Sequence, residues 1–358
     1  MRAFVVEAPG RYAVRDDVEP FPVGPNDVRI QMKSAGICRT DLSVITGAWP
    51  IAMPCVDGHE GAGVVVEVGA DVVVPEVGQH VVVAAPMCGR CYFCVRAVPW
   101  FCVTKDLGSA EPRFRLGDGT FVSAMVGKGT WATEIVVPKD MAVVVPDEVP
   151  FEVACLVGCA VGTGVGQVLN VGRPEAGSSV LVLGGGGIGA CTVMGAVLAG
   201  CGPIVVVDPS RQKHETLVGF GATHAIVPEE LAGLSARLTA GRGFDLAFEN
   251  VGLASTIRCA VDATRLGGTV VFTGLGGAEG RVSFDLNELS ARGRHLVGSF
   301  GGGLVPPRDL PRYCELYLRG RLPLDDLISR RLGFDDIPLA LRALDEEPGL
   351  MRQVIQFT

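Results

Sequence analysis

A glycine-rich turn near the middle of this 358-residue chain constrains its fold more than any other feature. The segment reads LGGGGIG, and its Gly184, Gly186 and Gly189 have the spacing G-x-G-x-x-G, with Gly187 and Ile188 between them. Glycines at this spacing permit a tight turn, close approach of a pyrophosphate to the backbone, and tight packing of a helix on a strand. The turn lies between an apolar run and a helix-forming segment, which predicts a βα unit that binds a dinucleotide.

The next apolar run, Ile204 to Asp208, ends in an acid about 20 residues beyond the last glycine of the turn. A carboxylate there can accept hydrogen bonds from the adenosine ribose hydroxyls and would repel a 2′-phosphate, which favours NAD over NADP. Arg211 and Lys213 follow closely and could weaken that preference. A tight turn without a ligand, followed by a solvated Asp208, is the alternative.

Four cysteines lie within fifteen residues, in the pattern Cys88-x-x-Cys91-x-x-Cys94-x7-Cys102. Four thiolates at this spacing can surround one tetrahedral Zn²⁺ completely, which leaves no open position for substrate and describes a structural site. An iron–sulfur cluster is one alternative, because thiolates also suit it. Four unrelated buried cysteines are the other.

A second candidate metal site combines Cys38, His59 and Cys159. None of the three is diagnostic alone, because a single histidine or cysteine is usually an ordinary core or surface residue. Two thiolates and one imidazole leave the fourth tetrahedral position open, which is the composition of a catalytic zinc.

Charge and cysteine content bear on the cellular context. The formal net charge of −8 includes no block of Lys or Arg, so nucleic acid is not an expected partner. The first residues, MRAFVVEAPGRYAVRDD, lack the features of a secretory signal, and no later segment reads as an uninterrupted membrane span. We therefore expect a cytoplasmic protein, in which the clustered cysteines among the twelve are metal ligands rather than disulfides.

The chain has two regions that differ in their pattern of apolar residues. Residues 1 to about 150 contain short Val-rich runs broken by Gly and Pro, which predict a partly antiparallel, barrel-like domain. From about residue 160, apolar strands alternate with segments long enough for helices, which predicts a doubly wound parallel sheet. The strands predicted there are Ser178 to Leu183, Ile204 to Asp208, Asp245 to Glu249, Thr269 to Thr273 and Leu296 to Phe300. A helix is predicted at Ile188 to Ala199, and the tail from Leu304 is expected to return to the first domain.

With these motifs in this order, the chain resembles the medium-chain, zinc-containing alcohol dehydrogenases. The resemblance covers essentially the whole chain: GICRTD, GHEGAG, the four-cysteine loop, GCAVGTG, the glycine-rich turn with its acid, and the closing MRQVIQF. The stretch between Cys102 and Thr130 is similar to the class III and nicotinoprotein branches. The resemblance implies a GroES-like, partly antiparallel β-barrel catalytic domain at 1–160, with the structural-zinc loop at 88–102. It also implies a Rossmann NAD-binding domain with a doubly wound parallel sheet at 161–300, and a return to the catalytic domain at 301–358.

The resemblance also implies roles for individual residues. Two Zn²⁺ ions per chain are implied, a catalytic one on Cys38, His59 and Cys159 and a structural one on the four loop cysteines. Asp41 would orient His59. Thr40 and Ser43 would transfer the proton, and Glu60 would assist ligand exchange beside the metal. For the coenzyme, the resemblance implies Arg39 and Arg352 on the pyrophosphate, Asp208 and Lys213 on the adenosine ribose, and Thr163 at the nicotinamide. The implied pocket walls are Trp49, Phe93 and Met125.

One position departs from the family pattern. Many members have a histidine a few residues after the first zinc-binding cysteine, where this chain has Ser43. A hydroxyl can pass a proton but cannot store one near neutral pH as an imidazole can. The route by which the substrate proton leaves is therefore an open question at this stage.

The predicted activity is hydride transfer between NAD(H) and an alcohol/carbonyl pair, with zinc as the Lewis acid. Alternatives are a nicotinoprotein that keeps NAD bound, a reductase of C=N or C=C bonds in secondary metabolism, and a non-catalytic protein that retains the fold. The last alternative predicts damaged zinc ligands, whereas all three are present. A small-molecule substrate and a homodimer or homotetramer are expected from the resemblance, the pairing involving strands near Leu296 to Phe300.

Overall fold

The computed structural model describes residues 1–103, 111–276 and 280–357. Contacts divide the chain into two compact units. The first unit contains 1–159, 305–347 and 352–358, and the second contains 160–304 and 348–351.

Strands are numbered in chain order over the described residues. They are β1 Ala3–Ala8, β2 Arg11–Arg15, β3 Val18–Pro20, β4 Asp27–Ile37, β5 Cys55–Val56, β6 Gly61–Val68, β7 His80–Val83, β8 Phe114–Leu116, β9 Phe121–Ala124, β10 Glu134–Pro138, β11 Ala142–Val144, β12 Val180–Leu183, β13 Ile204–Val207, β14 His224–Ile226, β15 Phe244–Glu249, β16 Thr264–Phe272, β17 His295–Gly298, β18 Ile328–Gly333 and β19 Arg352–Gln356.

The α-helices are short, and several are extended by 3-10 or π turns. They are α1 Arg39–Ile45, α2 Phe151–Leu156, α3 Gly162–Gly166, α4 Gly187–Leu198, α5 His214–Gly219, α6 Leu231–Leu238, α7 Ala254–Ala263, α8 Leu286–Ser290, α9 Pro306–Leu318 and α10 Ile337–Glu346.

The first unit is built from two mainly antiparallel sheets. One has the strand order β2-β1-β5-β9-β8-β3, and the other has the order β11-β7-β6-β4-β19-β18 with β10 also paired to β4. Strand β4 is long, and alternate side chains such as Val28, Ile30 and Met32 point into the core. The C-terminal strand β19 pairs antiparallel with the end of β4, with Gln353 opposite Ile37. This pairing brings the end of the chain beside the start of α1.

The second unit is a six-stranded sheet of order β14-β13-β12-β15-β16-β17, in which every neighbouring pair is parallel. All residues of β12 and β13 are buried, as expected for central strands covered by helices on both faces. The order reverses at β12, the first strand of this sheet, so the crevice at its carboxyl end is the usual ligand position of such a sheet. The predicted fold class, a barrel-like mixed domain plus a doubly wound parallel sheet, is confirmed.

Element boundaries differ from the sequence prediction mainly at the edge of this sheet. Strand β16 begins at Thr264, five residues before the predicted start, because it contacts β15 across an irregular register between Phe244 and Leu246. Strand β17 ends at Gly298, two residues early. Between β11 and β12 along the chain, the helical stretch Phe151–Gly172 is long and apolar enough to cross a membrane, but 83% of its most apolar window is buried within the protein. Such burial is typical of a core helix.

Candidate active site and coenzyme site

Three chain segments of the first unit bring the candidate catalytic ligands together. Cys38 follows the last residue of β4 and precedes α1, His59 follows β5, and Cys159 follows α2. The ligand atoms of these residues and of Glu60 all lie within 4.8 Å of one another. Cys159 Sγ is 3.3 Å from His59 Nε2. Two such donors on one tetrahedral zinc would be separated by about 3.5 Å, so the observed spacing fits that ion.

Asp41 fixes two of the candidate ligands at once. Its Oδ1 lies 2.6 Å from His59 Nδ1, and its Oδ2 accepts a hydrogen bond of 2.7 Å from the backbone N–H of Cys38. Its side chain is fully buried. A carboxylate on Nδ1 selects the tautomer that presents Nε2 to a metal, and this is the orienting role predicted for Asp41.

Glu60 and Arg352 form a buried ion pair beside the ligands. Arg352 Nη2 donates to Glu60 Oε1, and the two side chains are 6% and 0% exposed. Glu60 Oε2 has no hydrogen-bond partner among the described residues. A Cβ on Gly36 would lie 2.0 Å from that oxygen, so the glycine of the GICRTD motif leaves room for the carboxylate. Glu60 thus lies where it was predicted, and Arg352 contacts it directly.

The ionisable groups of the site shift one another's pKa values. A hydrogen bond from Cys159 lowers the pKa of Cys38 well below its usual value, and the charge of Arg352 acts in the same direction. The pKa of Cys159 is raised, because it keeps the shared proton and is buried. Burial lowers the pKa of His59, but the Asp41 carboxylate outweighs burial and raises it overall. The pair of sulfurs therefore carries a thiolate, which is the form that coordinates a metal.

The predicted proton-transfer residues both lie on α1. Thr40 Oγ1 is 3.6 Å from Cys38 Sγ and half-buried. The Ser43 hydroxyl instead donates to the backbone oxygen of Arg39 at 3.1 Å. The Arg39 side chain is 65% exposed and bonds to Asp345 and the carbonyl of Leu344. Thr40 is thus beside the metal ligands, and Ser43 lies one turn further along the helix.

The four loop cysteines form a second cluster, whose ligand atoms also lie within 4.8 Å of one another. The Cys88–Cys94 and Cys91–Cys102 sulfur pairs are each separated by 3.9 Å. Sulfurs on one tetrahedral zinc are about 3.8 Å apart, so this spacing fits a four-thiolate site. Part of the class III-like stretch that follows, residues 104–110, lies outside the described residues.

The glycine-rich turn has the geometry that a pyrophosphate requires. Gly184 has φ +90°, and a Cβ on Gly189 would lie 1.9 Å from the carbonyl oxygen of Gly184. Beyond its chain neighbours, no heavy atom of the described residues lies within 4 Å of a Cβ position on Gly186, so the backbone there is open to a ligand. Gly187 and Ile188 then open α4. The turn joins β12 to a helix N-terminus, which is the arrangement that binds anions.

Asp208 follows β13 and lies against this turn. Its Oδ2 accepts a hydrogen bond of 2.8 Å from the backbone N–H of Gly185, and Lys213 Nζ is 3.6 Å from the same oxygen. The neighbouring Arg211 pairs with Glu230 at 3.0 Å. Thr163 is 7% exposed and lies on α3 of the same unit.

The predicted pocket walls do not all meet. Trp49 and Met125 belong to one apolar cluster with Val44 and Cys55. Phe93 instead packs in the cysteine loop, with its ring 5.3 Å from that of Tyr92 and 5.8 Å from that of Phe101. Phe93 therefore lies apart from the apolar cluster.

Two buried polar residues near His59 had no sequence signal. Lys128 is 4% exposed, and its Nζ donates to the His59 carbonyl oxygen at 2.9 Å. Asp57 is fully buried, with Oδ1 accepting from the backbone N–H of Gly58. Lys128 lies between two glycines and Asp57 follows the two-residue strand β5, so neither belongs to a periodic pattern that would predict its burial.

Fold and site together define a dinucleotide-binding oxidoreductase with metal-ligating centres. Residues 24–147 match the model of the alcohol dehydrogenase GroES-like domain, and residues 187–319 match the model of the zinc-binding dehydrogenase domain. The chain is 36% identical over 327 residues to putative alcohol dehydrogenase D of Mycobacterium tuberculosis, with 88% of each chain covered. It is 33% identical to the class-3 alcohol dehydrogenase of Drosophila melanogaster, covering 96% of this chain and 94% of that one.

A solved structure agrees with these matches. Benzyl alcohol dehydrogenase from Acinetobacter calcoaceticus is similar over 100% of this chain and 99% of its own, with a TM-score of 0.91 and 26% identity. The chain belongs to the medium-chain, zinc-containing alcohol dehydrogenase family. It is accordingly an NAD-dependent oxidoreductase of that family, and the comparisons do not favour the reductase or nicotinoprotein alternatives.

Proposed function

We propose that this chain interconverts an alcohol and its aldehyde or ketone, with Cys38, His59 and Cys159 holding a catalytic zinc and the four loop cysteines a structural one. The observation that carries the proposal is the convergence of two sulfurs, an imidazole nitrogen and a carboxylate within 4.8 Å. We further propose that residues 1–160 and 301–358 form the catalytic domain, that 161–300 bind NAD, and that the protein is a cytoplasmic homodimer or homotetramer.

Zinc, when bound, supplies a Lewis acid that favours loss of the alcohol proton near neutral pH. The protein residues hold the ligands and move the proton. Asp41 orients His59, and the Thr40 hydroxyl, next to Cys38, is placed to accept the proton from the alcohol oxygen. Ser43 is proposed as a later step of that route, although its hydroxyl is hydrogen-bonded within α1.

NAD is the proposed coenzyme because the Asp208 carboxylate lies at the turn that would receive the adenosine ribose. Gly184, Gly186 and Gly189 shape the pyrophosphate site, with Gly187 and Ile188 at the helix start. Lys213 is close enough to Asp208 to contact the same ribose, and Thr163 is proposed at the nicotinamide. Arg39 and Arg352 are proposed on the pyrophosphate, and the exposure of Arg39 leaves its guanidinium accessible.

Metal content and dehydrogenase activity test the proposal together. We expect two zinc ions per chain and NAD reduction with primary alcohols such as benzyl alcohol. Cys159→Ala should retain one zinc and lose activity. Cys155→Ala is the matched control, because Cys155 lies four residues away on the same helical stretch and outside both clusters. It should retain two zinc ions and full activity. A single zinc in active wild-type protein would contradict the proposal.

Coenzyme choice is tested by Asp208→Gly. Removal of the carboxylate should lower kcat/KM with NAD about 10- to 100-fold, since hydrogen bonds to a charged group are lost, and should raise the relative rate with NADP. Glu230→Gln, which alters the exposed partner of Arg211, is the control. An unchanged ratio of kcat/KM with NAD to kcat/KM with NADP in Asp208→Gly would contradict the assigned ribose contact.

Mass spectrometry tests whether NAD dissociates from the protein. Denatured protein, after extensive dialysis of the native form, should contain no retained NAD.

A further inference from the structure

A groove of about 1020 Å³ in the second unit is lined by an unusual number of cations. One aspartate, Asp262, is the only acid among its lining residues. The arginines that line this arginine groove are Arg242, Arg258, Arg265, Arg292 and Arg294.

Most of the arginines of this groove lie at the amino-terminal edge of the parallel sheet, whereas its lining residues Pro228 and Ser255 follow the carboxyl ends of β14 and β15. Its lining residue Gly243 directly precedes β15, Arg265 is the second residue of β16, and Arg294 directly precedes β17. The coenzyme turn begins at Gly184, which follows the carboxyl end of β12. Since these strands are parallel, this end of the groove and the turn lie at opposite edges of the sheet. The side chains of Arg242 and Arg292 therefore belong to a part of the groove remote from the glycine-rich turn.

Two of the arginines are neutralised by acids. Arg265 Nε is 2.6 Å from Asp245 Oδ1. Arg258 pairs with both Asp262 and Glu288, with Nε 3.0 Å from Asp262 Oδ2 and Nη1 2.8 Å from Glu288 Oε2.

The other three arginines are not fully compensated. The guanidinium groups of Arg242 and Arg292 have no hydrogen bond or ion pair within the described parts of the chain. The Arg294 side chain is 4% exposed, and its Nε and Nη2 donate to the Thr264 carbonyl oxygen. Its Nη1 is buried without a hydrogen-bond partner in those ranges, 3.7 Å from Glu288 Oε1. Burial, together with the charge of Arg292, lowers the pKa of Arg294.

The uncompensated charges of Arg242 and Arg292, beside the buried Arg294 Nη1 without a hydrogen-bond partner in the described ranges, raise the free energy of the folded protein unless a ligand compensates them. Guanidinium groups bind phosphate oxygens through paired hydrogen bonds, and several arginines in one concavity favour a multiply charged anion. Leu231 and Leu266 add apolar wall, and a groove of this volume is in the range of small-molecule sites. We propose that the arginine groove is a second ligand site of this protein, which binds an organic phosphate.

Calorimetric titration of the full-length protein saturated with NAD tests this proposal, because bound NAD keeps the probes out of the glycine-rich turn. The probes are inorganic phosphate, inorganic pyrophosphate and phenyl phosphate. The test variant is Arg242→Gln combined with Arg292→Gln, because both side chains are exposed and their replacement should not impair folding. Arg319→Gln, an exposed arginine of the first unit paired with Glu315, is the matched control.

We expect pyrophosphate and phenyl phosphate to bind wild type and Arg319→Gln equally, and to bind the double variant at least about tenfold more weakly. Arg294→Lys should also weaken binding. Equal affinity of wild type and double variant would overturn the site. Tighter binding of phenyl phosphate than of inorganic phosphate supports an organic ligand, whereas equal or weaker binding would overturn that part of the assignment.

Discussion

The two cysteine clusters of this protein use similar ligands in opposite surroundings. The loop cluster takes all four sulfurs from fifteen consecutive residues, and Cys88 and Cys91 are partly exposed. The Cys38, His59 and Cys159 cluster collects its atoms from three segments that span 122 residues of sequence, and it is surrounded by the buried Asp41, Glu60 and Arg352.

The surroundings explain what each cluster can do. In the loop cluster, four sulfurs lie close enough together to hold one zinc completely, and the neighbouring side chains include the aromatic Tyr92 and Phe101. In the buried cluster, the three proposed ligands would leave one position of a zinc open, and charged groups contact the ligands and shift their pKa values. A metal site built from one short segment can stabilise that loop. A site with a free position for substrate requires the whole domain to position its ligands.

The largest expected difference between the clusters is in activity. Cys38→Ser should lower kcat by about 10³-fold or more, because loss of the metal removes several kcal/mol of stabilisation of the developing charge. Zinc content should fall from two to one per chain, with circular dichroism unchanged. Cys55→Ala, a buried cysteine outside both clusters, is the control. Full activity in Cys38→Ser would remove the distinction between the clusters.

Loss of a ligand from the loop cluster should affect stability more than activity. Cys94→Ser should lower the free energy of unfolding by about 2–4 kcal/mol, because metal binding orders the loop, while kcat at 25 °C changes less than about threefold. Denaturant unfolding and steady-state kinetics measure the two effects on the same preparation. A loss of activity as large as that of Cys38→Ser, in protein that remains folded, would show that the loop is not merely structural.

The orienting carboxylate should have an intermediate effect. Asp41→Asn keeps the size of the side chain but removes its charge, and should weaken zinc affinity or activity about 10- to 100-fold. Competition with a chelator, followed by elemental analysis, should show selective loss of the buried zinc. Asp335→Asn, at an exposed partner of Arg2, should leave both metals in place. Equal loss from both clusters would contradict the role of Asp41.

The smallest effect is expected at Ser43. Ser43→Ala should change kcat less than about threefold between pH 6 and 9, because Ser43 follows Thr40 in the proposed route and its hydroxyl is bonded to the Arg39 carbonyl, whereas Thr40→Ala should lower kcat about 10²-fold. Thr46→Ala, whose hydroxyl also bonds along α1, controls for helix stability. A larger effect at Ser43 than at Thr40 would contradict the role of Thr40 as the first proton acceptor.

Much of this architecture could be predicted because its signals are local. The turn at Gly184 to Gly189, the acid Asp208 and the four-cysteine spacing each lie within a single βα unit or loop, where chain geometry leaves few alternatives. The strands β12 and β13 were placed to within two residues for the same reason, since each is a short buried apolar run. The edge strand β14, His224–Ile226, was missed, because only one of its three residues is buried. Phe93 was associated with the pocket by family position, whereas its ring contacts in the structure are with Tyr92 and Phe101 of the cysteine loop.

By itself, the sequence determined the ligand types, the order of the motifs and the two fold classes, because residue chemistry and short-range spacing decide these. Only the tertiary structure decided which distant charges meet. The contact of Arg352 with Glu60 spans 292 positions, Lys128 reaches the His59 carbonyl, and the arginine groove gathers residues from separate βα units. Such contacts depend on strand register and packing, which no local pattern encodes.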